Sequence, residues 1–300
     1  MPDSCLAIDI GGSKILVGTV DPAGKVLSSE RLPLADPSQD SILRAAYSLC
    51  DPLVARGGLS CIGVSIPGLA DPERGLWLEA VFSKVRDFPI ARILRDRYRM
   101  PVFIENDANN CAIGERRFGC AQGRDDFIWL TVSNGCGSGI FLGGGLFAGA
   151  RGNAGELGHI QVTEGDYPCP CGNSGCLEAV AAGPGIARRF RRESGIEEEK
   201  SAKQIAELAK AGDPAALAVY RETGTYIGRA LAAAVNVLNV PLVVLGGGIS
   251  MDYPLYAAEL EGSLRAHIYR RANEGLEIKR TGLGYEASLI GAAANAMGRA

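Results

Sequence analysis

The first third of the chain alternates short apolar runs with glycine and proline turns. LAIDIG, KILVGTVD and KVLSSERL, separated by GGS and DPAG, predict three antiparallel strands. A stretch with helical spacing runs from Ser38 to Arg56 and ends at Gly57 and Gly58. CIGVSI and PVFIE predict two buried strands, with PGLADPERG as a loop and PIARILRDRY as a helix between them. The predicted order is strand, strand, strand, helix, strand, helix, strand.

The remaining chain repeats this rhythm. A predicted helix from Asn106 to Phe118 precedes FIWLTVS, GIFLGG and GHIQV, which predict strands around glycine turns. The alanine-rich segment from Pro214 to Leu238 predicts a long helix, and LVVLG, Tyr253 to Tyr269 and LEIKRT predict a strand, a helix and a strand. The charged run EEEK, residues 197–200, is interpreted as the solvated start of a helix. Two halves that each open with a glycine-turned hairpin indicate a duplicated α/β unit.

Composition narrows the class of protein. A chain of 300 residues with 47% hydrophobic residues favours two lobes with a substrate cleft between them. The net charge of -3 gives little attraction for polyanions, so we expect no nucleic-acid partner. No apolar run reaches the length of a membrane span, and the first residues do not resemble a secretory signal. We therefore expect a cytoplasmic protein that does not bind a membrane.

The segment DIGGSK could bind phosphate. Glycines in a turn after a strand let backbone N–H groups approach phosphate oxygens, because no Cβ blocks them. Asp9, at the strand's end, could orient Mg²⁺ through water. The predicted cofactor-binding residues of this turn are Asp9, Gly11, Gly12, Ser13 and Lys14. A plain hairpin turn explains the same residues.

Two later glycine segments offer similar chemistry. SNGCGSGIFLGG supplies a second candidate phosphate turn at Asn134, Gly135, Cys136 and Gly137, with a plain hairpin as the alternative. Gly246, Gly247 and Gly248 follow the buried strand LVVL, where the adenosine of a nucleotide could lie against the backbone. A simple turn at the start of a helix is the alternative there.

In IENDANN, a buried strand carries Glu105, Asn106 and Asp107 to the start of a helix. A carboxylate in this place can accept the proton of a hydroxyl that attacks phosphorus, and the neighbouring amide can hold the same alcohol. Helix capping by Asn106 or Asp107 is the alternative interpretation.

The cysteines fall into two groups. Six are scattered among apolar segments and are predicted to be buried thiols: Cys5, Cys50, Cys61, Cys111, Cys120 and Cys136. The others, Cys169, Cys171 and Cys176, follow His159 in a C-x-C-x4-C pattern, the ligand set of a structural zinc site. A disulfide, a redox pair and unliganded thiols are the alternatives, but a reducing compartment favours the metal.

Two carboxylates, Glu156 and Glu178, flank this cluster in sequence. If one imidazole nitrogen of His159 binds zinc, its other nitrogen and these carboxylates could bind vicinal hydroxyls. The predicted metal would then stiffen a polyol-binding surface.

Taken together, these motifs resemble the ROK family, sugar kinases of the actin and hexokinase superfamily that include glucokinases, fructokinases and kinases of N-acetylated amino sugars. The resemblance covers nearly the whole chain: DIGGSKI, SIPGLAD, ENDANN, NAGELGH, CPCGNSGCLE, PLVVLGGG and SLIGAAANA. CPCGNSGCLE matches the family's C-x-C-G-x-x-G-C-L-E pattern throughout and is the most specific of them.

The resemblance implies a two-lobed actin-like ATPase (ribonuclease H-like) of duplicated α/β domains. Residues 1–118 would form a smaller lobe on which residues 286–300 pack back, and residues 119–285 a larger lobe with the zinc site. It also implies a homodimer, ATP as phosphoryl donor, Mg²⁺ near Asp9, and the phosphates at the two glycine turns. Asp107 would be the general base, and the sugar hydroxyls would contact Gly68, Asn106, Glu156, His159 and Glu178.

Two segments depart from the family pattern. Ser133, Asn134 and Gly135 stand where the family has G-T-G, and SKVRDF stands where it tends to have N-L-x-x-W. The first departure keeps a catalytically weak sugar-binding protein as an alternative function. A sugar-sensing repressor would need a DNA-binding segment ahead of DIGG, and eight residues precede Asp9. The sequence leaves open which sugar is phosphorylated and whether polyphosphate could replace ATP.

Overall fold

The computed structural model describes residues 4–80 and 83–300. The chain divides into two compact units. The first contains the residues up to Asp125, Gly139–Ala154 and Thr281–Ala300; the second contains Asp126–Ser138 and Gly155–Arg280. These are not the predicted lobes of residues 1–118 and 119–285. The first unit is the longer one, because it also takes in residues 119–125 and 139–154.

The strands and helices are bounded as follows. The strands are β1 (Ser4–Ile10), β2 (Lys14–Val20), β3 (Val26–Pro33), β4 (Leu59–Ile66), β5 (Leu69–Asp71), β6 (Leu76–Glu79), β7 (Arg86–Phe88), β8 (Val102–Asn106), β9 (Phe127–Val132), β10 (Cys136–Leu142), β11 (Gly145–Leu146), β12 (Leu242–Gly246) and β13 (Glu277–Arg280). The α-helices are α1 (Gln39–Ala55), α2 (Ile90–Tyr98), α3 (Asp107–Phe118), α4 (Leu177–Ala181), α5 (Gly183–Ser194), α6 (Ala202–Lys210), α7 (Pro214–Leu238), α8 (Ala257–His267) and α9 (Ala287–Arg299).

Two five-stranded sheets share one topology. The first has the order β3-β2-β1-β4-β8, and the second has the order β11-β10-β9-β12-β13. In the first sheet, β1, β2 and β3 pair antiparallel, as predicted, while β4 lies parallel to β1 and β8. In the second sheet, β12 lies parallel to β9 and β13. The predicted α/β class and the duplication are therefore confirmed.

The first sheet brings its strand ends to one edge. Asp9 lies opposite Ser65 in the pairing of β1 with β4, and Ile66 lies opposite Asn106 in the pairing of β4 with β8. Because these strands are parallel, the residues that follow them leave the sheet on the same side. The turn after Asp9, the loop at Gly68 and the start of α3 therefore share this edge.

Glycines let α9 pack closely in the first unit. A Cβ on Gly63 of β4 would lie 2.0 Å from the carbonyl oxygen of Ala292, and one on Gly291 would lie 1.9 Å from that of Asn110. Ser65 also donates a hydrogen bond of 3.0 Å to the Ser288 carbonyl. The last helix therefore covers one face of the first sheet and contacts α3.

Glu115 of α3 is fully buried and satisfied by hydrogen bonds. Its carboxylate accepts from the backbone N–H of Cys120 at 2.8 Å and of Gly282 at 3.0 Å, and from the Thr281 hydroxyl. These bonds satisfy the buried carboxylate, which would otherwise be costly to remove from water. They also fix the end of α3 to the segment that leads into α9.

Several sequence predictions are wrong. PGLADPERG is not all loop, since β5 pairs with β6 and β6 with β7 in a small sheet. GHIQV is a 3-10 turn at Leu157–His159 with one isolated bridge at Gln161. The helix predicted from Tyr253 begins at Ala257, because Pro254 lies in a preceding 3-10 segment. EEEK is not helical. The helix α6 begins after it, with Ser201 as the N-cap of a capping box that it forms with Gln204.

The predictions of a long helix and of buried thiols are confirmed. The long helix α7 spans Pro214–Leu238 with Asp213 as N-cap and Asn239 in the left-handed conformation. Five of the six scattered cysteines are buried, while Cys120 is half-buried. Among residues 4–80 and 83–300, no helix is both long enough and apolar enough to cross a bilayer.

Candidate active site

Asp9 is the penultimate residue of β1, near the edge of the first sheet where the strand ends, and is half-buried. Burial raises the pKa of its carboxyl group, while a hydrogen bond of 2.8 Å from the Ser288 hydroxyl to Oδ1 opposes that shift. After it, the N–H of Gly11 donates to the Lys14 carbonyl at 2.8 Å, which closes the turn into β2. Gly12, Ser13 and Lys14 are exposed in this turn. One carboxylate beside an open turn fits Mg²⁺ that keeps most of its waters.

Asn106 is the N-cap of α3. Its Oδ1 accepts hydrogen bonds from the N–H groups of Ala108 at 2.9 Å and Asn109 at 3.2 Å. Its Nδ2 donates to the Gly68 carbonyl at 3.0 Å. Gly68 has φ +78°, and a Cβ there would lie 2.3 Å from the Glu79 carbonyl oxygen. The interpretation of Asn106 as a helix cap is therefore confirmed. The same side chain also joins the Gly68 loop to the helix.

Asp107 is the first residue of α3 and is half-buried. Its Oδ1 accepts from the Ala108 N–H at 2.9 Å, which orients the carboxylate at the helix start. Beneath it, the buried Glu105 accepts from the Asn106 N–H at 2.9 Å and from Asn109 Nδ2 at 3.0 Å, both at Oε1. Burial raises the pKa of Glu105, and these two donors oppose the shift. Hydrogen bonds therefore fix the junction between β8 and α3 at Glu105 as well as at Asp107.

In the second unit, the four predicted zinc ligands come together. Their ligand atoms all lie within 4.8 Å of one another: His159, Cys169, Cys171 and Cys176. Cys169 Sγ is 3.6 Å from His159 Nδ1, and Cys171 Sγ is 3.7 Å from Cys176 Sγ. Bonds of about 2.3 Å to sulfur and about 2.0 Å to nitrogen in a tetrahedron give edges of roughly 3.8 and 3.6 Å. The cluster therefore has the size that zinc requires.

The thiols of this cluster are free, so the disulfide alternative is not what the structure shows. Without a cation, burial raises the pKa of Cys176 to about 12. A divalent ion would compensate the charge of the thiolates, which is how zinc sites keep cysteine ionised. Gly172 closes a turn onto Cys169, with its N–H 3.0 Å from the Cys169 carbonyl. The residues present fit a closed structural site of four ligands.

His159 has its two ring nitrogens on different partners. Nδ1 faces Cys169, and Nε2 lies 3.7 Å from Glu156 Oε2. This is the division of roles predicted for a zinc-bound imidazole with a neighbouring carboxylate. Glu156 is largely exposed, while Glu178, two residues after Cys176 in α4, is half-buried.

The predicted phosphate turn between β9 and β10 is tightly tied within the second unit. The Ser133 N–H donates to the Gly135 carbonyl at 2.8 Å, and the Gly183 N–H donates to the Ser133 carbonyl at 2.8 Å. The Cys136 N–H donates to Glu178 Oε2 at 2.9 Å. Ser133 and Asn134 are exposed, Gly137 is half-buried, and Cys136 is buried.

The glycines at the end of β12 and just after it have distinct surroundings. A Cβ on Gly246 would lie 2.1 Å from the Trp129 ring, and one on Gly247, at φ +82°, would lie 2.4 Å from the Val132 carbonyl oxygen. Packing alone therefore accounts for these two. Gly248 differs, since its Cβ position lies 3.7 Å from the Ser133 hydroxyl, next to the phosphate turn.

Residues 5–298 match the model of the ROK family. The chain belongs to the ROK family. It is 32% identical to a glucokinase of Halalkalibacterium halodurans, over 95% of this chain and 92% of that protein. A ROK hexokinase from Thermus thermophilus is 35% identical, with a TM-score of 0.83 over 99% of this chain and 98% of that one. A ROK family glucokinase from Streptomyces griseus, solved with glucose and AMPPNP, is 31% identical, with a TM-score of 0.87 over 98% and 99% of the chains.

In this ROK protein, the predicted site residues fall into two sets. The first unit carries Asp9, Gly11–Lys14, Gly68, Asn106 and Asp107, and the second carries Asn134–Gly137, Glu156, His159, the three cysteines, Glu178 and Gly246–Gly248. Within each set the structure brings neighbouring members into the contacts described above. Sequence reasoning missed Ser288 as the partner of Asp9 and Gly183 as the partner of the phosphate turn. Ser288 opens SLIGAAANA, so the motif was visible but its contact was not.

The two cations of SKVRDF, Lys84 and Arg86, lie near acidic side chains of the first unit. Arg86 forms an ion pair with Glu79. A hydrogen bond from Ser38 lowers the pKa of Asp36, and the charge of Lys84 contributes to the same shift. Both cations therefore have anionic neighbours at the surface of the first unit.

Proposed function

We propose that this ROK protein is an ATP-dependent carbohydrate kinase that phosphorylates a hydroxyl of a hexose or an N-acetylated amino sugar. The family membership supports the reaction class, as do relatives named glucokinase and hexokinase. The observation that carries the proposal is Asp107, a carboxylate held at the start of α3 by the cap at Asn106 and by its own bond to the Ala108 N–H.

The proposed role of Asp107 is to accept the proton of the sugar hydroxyl as its oxygen attacks the γ-phosphorus. General base catalysis of this kind contributes about 100- to 10,000-fold, and positioning of the reactants contributes more. The other hydroxyls of the sugar would bind to Glu156, to His159, to Glu178 and to the Asn106 Nδ2 hydrogen that is not bonded to Gly68. These contacts would select the hydroxyl that reacts.

For the nucleotide, we propose that the turns at Gly11–Lys14 and Asn134–Gly137 bind the phosphates and that Gly248 lies near the adenosine. Asp9 would hold Mg²⁺ through water, and that ion would supply charge neutralisation to the phosphates. Zinc at the cysteine cluster would be structural, since four protein ligands leave no open position. ATP as the donor, a cytoplasmic location and a homodimer stay predictions.

The test is an ADP-release assay with ATP and Mg²⁺ over a panel of sugars. Asp107→Asn should lose turnover by about 100-fold or more, while sugar binding measured by calorimetry is largely kept. Asp40→Asn is the matched control, because Asp40 is also an acidic residue in the first turn of a helix and is exposed.

Near-normal turnover by Asp107→Asn would show that another group is the base. Sugar binding by the wild-type protein without turnover on any sugar would favour the catalytically weak sugar-binding alternative. Turnover with polyphosphate but not with ATP would overturn the proposed donor.

A further inference from the structure

Glu178 contacts the candidate phosphate turn directly. Its Oε2 accepts a hydrogen bond of 2.9 Å from the backbone N–H of Cys136. A Cβ on Gly135 would lie 2.8 Å from the same oxygen, so the glycine leaves room for the carboxylate. The turn is therefore fixed at one of its own peptide groups by a side chain that is also expected to bind sugar.

The position of Glu178 is set by the segment that carries the cysteine cluster. Cys176 is the N-cap of α4, and Glu178 is the second residue of that helix. The Leu177 N–H donates to the Ile160 carbonyl at 2.9 Å, which ties the start of α4 to the residue after His159. Glu178 thus projects from a short helix whose start is anchored to the metal-ligand segment.

This contact acts through geometry and not through attraction for phosphate. A carboxylate repels phosphate oxygens, and the Cys136 N–H that it occupies is not offered to a nucleotide. What the bond does is hold the Asn134–Gly137 turn in one conformation before a nucleotide arrives. Preorganised donors of this kind lower the cost of ordering a binding loop.

The other candidate sugar-binding carboxylate differs from Glu178. Glu156 faces the imidazole of His159 at 3.7 Å, and its side chain is 57% exposed. A substitution of Glu156 therefore removes a candidate sugar contact without removing the acceptor for Cys136. The two glutamates provide a matched pair for an experiment.

We propose that Glu178 is a positioning residue for the nucleotide as well as a ligand for the sugar, so that the two substrates bind cooperatively. The inference rests on the proposed kinase function. A sugar hydroxyl on the carboxylate fixes its orientation, and the fixed carboxylate holds the phosphate turn through Cys136. Because coupling between two sites is reciprocal, sugar strengthens nucleotide binding by the same factor as nucleotide strengthens sugar binding.

The test is calorimetric titration of the zinc-loaded protein with Mg²⁺ and AMPPNP, with and without glucose or N-acetylglucosamine. Without sugar, Glu178→Ala should bind AMPPNP about 10-fold more weakly, the loss of one hydrogen bond to a charged acceptor. Glu178→Gln should bind AMPPNP at least as tightly as the wild type, because its amide oxygen can accept from the Cys136 N–H and carries no full negative charge to repel phosphate. Glu156→Ala should weaken sugar binding alone.

Zinc content and thermal unfolding are measured for each variant, to separate positioning from a loss of structure. If Glu178→Ala folds poorly, Gly135→Ala serves instead, since its Cβ displaces the carboxylate while Glu178 remains. Sugar should strengthen AMPPNP binding about 5-fold or more in the wild type, and not in Glu178→Ala.

Unchanged AMPPNP affinity in both Glu178→Ala and Gly135→Ala would overturn the positioning role and leave the kinase function intact. Equal losses in Glu178→Ala and Glu178→Gln would also overturn it, because charge and not the acceptor would then matter. A wild-type protein that binds neither AMPPNP nor any sugar of the panel would overturn the proposed function itself.

Discussion

Asn106 offers the sharpest test of how the candidate base is held. Its side chain makes two capping bonds at the start of α3 and one bond to the Gly68 carbonyl. Loss of an N-cap costs about 1 kcal/mol, and loss of the further hydrogen bond costs about 1 kcal/mol. Asn106→Ala should therefore lower the free energy of unfolding of the first unit by about 2 kcal/mol. Asn106→Ser should lower it by about 1 kcal/mol, because serine caps well but does not span to Gly68.

The two tryptophans allow the first unit to be followed separately. Trp77 is fully buried in the first unit, and Trp129 lies in the second. Urea unfolding is monitored by the fluorescence of Trp77 in a Trp129→Phe background. The two Asn106 variants are compared with the Trp129→Phe protein that keeps Asn106. Equal losses in Asn106→Ala and Asn106→Ser would refute the division between cap and loop contact. No measurable loss in either would refute the structural role of this side chain.

Two further predictions concern the carboxyl group of Asp9 and the candidate zinc site. Burial raises the pKa of Asp9, so its contribution to stability is full below its ordinary value of 3.8 and is lost as pH rises through the raised pKa. Asp9→Asn should therefore be more stable than the wild type at neutral pH, with the difference vanishing toward pH 3.8; urea unfolding at several pH values checks this, and a wild-type advantage at neutral pH would contradict it. The purified protein should carry roughly one zinc per chain, and Cys176→Ser should lose it and unfold at a lower temperature. Metal analysis with thermal unfolding checks this, and an unfolding temperature that does not depend on zinc would refute a structural site.

Local patterns were enough to predict the elements whose limits are set by nearby residues. The limits of α7 follow from Asp213 and Pro214 at its start and from the loss of helical spacing after Leu238. The cysteine cluster is equally local, since its ligands lie in one short segment and their chemistry points to one geometry. GHIQV shows the limit of this reasoning, because its alternation resembles a strand but its backbone hydrogen bonds go to a 3-10 turn and to Gly175.

Contacts between distant segments could not be predicted from such patterns. The small sheet of β5, β6 and β7 is stabilised by Trp77 packing on Phe88, with ring centroids 6.4 Å apart, and its strands are too short to show periodicity. Asn106 and Gly68 are 38 positions apart, and Glu178 and Cys136 are 42 apart. The residue types suggested each site, whereas the fold determined which groups meet within it.

The packing of α9 bears on how the chain is made. Its side chains close a core with Cys5, Ala7 and Cys61 of the first sheet, yet a ribosome adds residues 287–299 only after the whole of the second unit. During that interval the nascent first unit has an uncovered apolar face. A translation product that stops before residue 287 would contain all of ENDANN. It would still lack α9, the helix that packs against α3 and so supports Asp107.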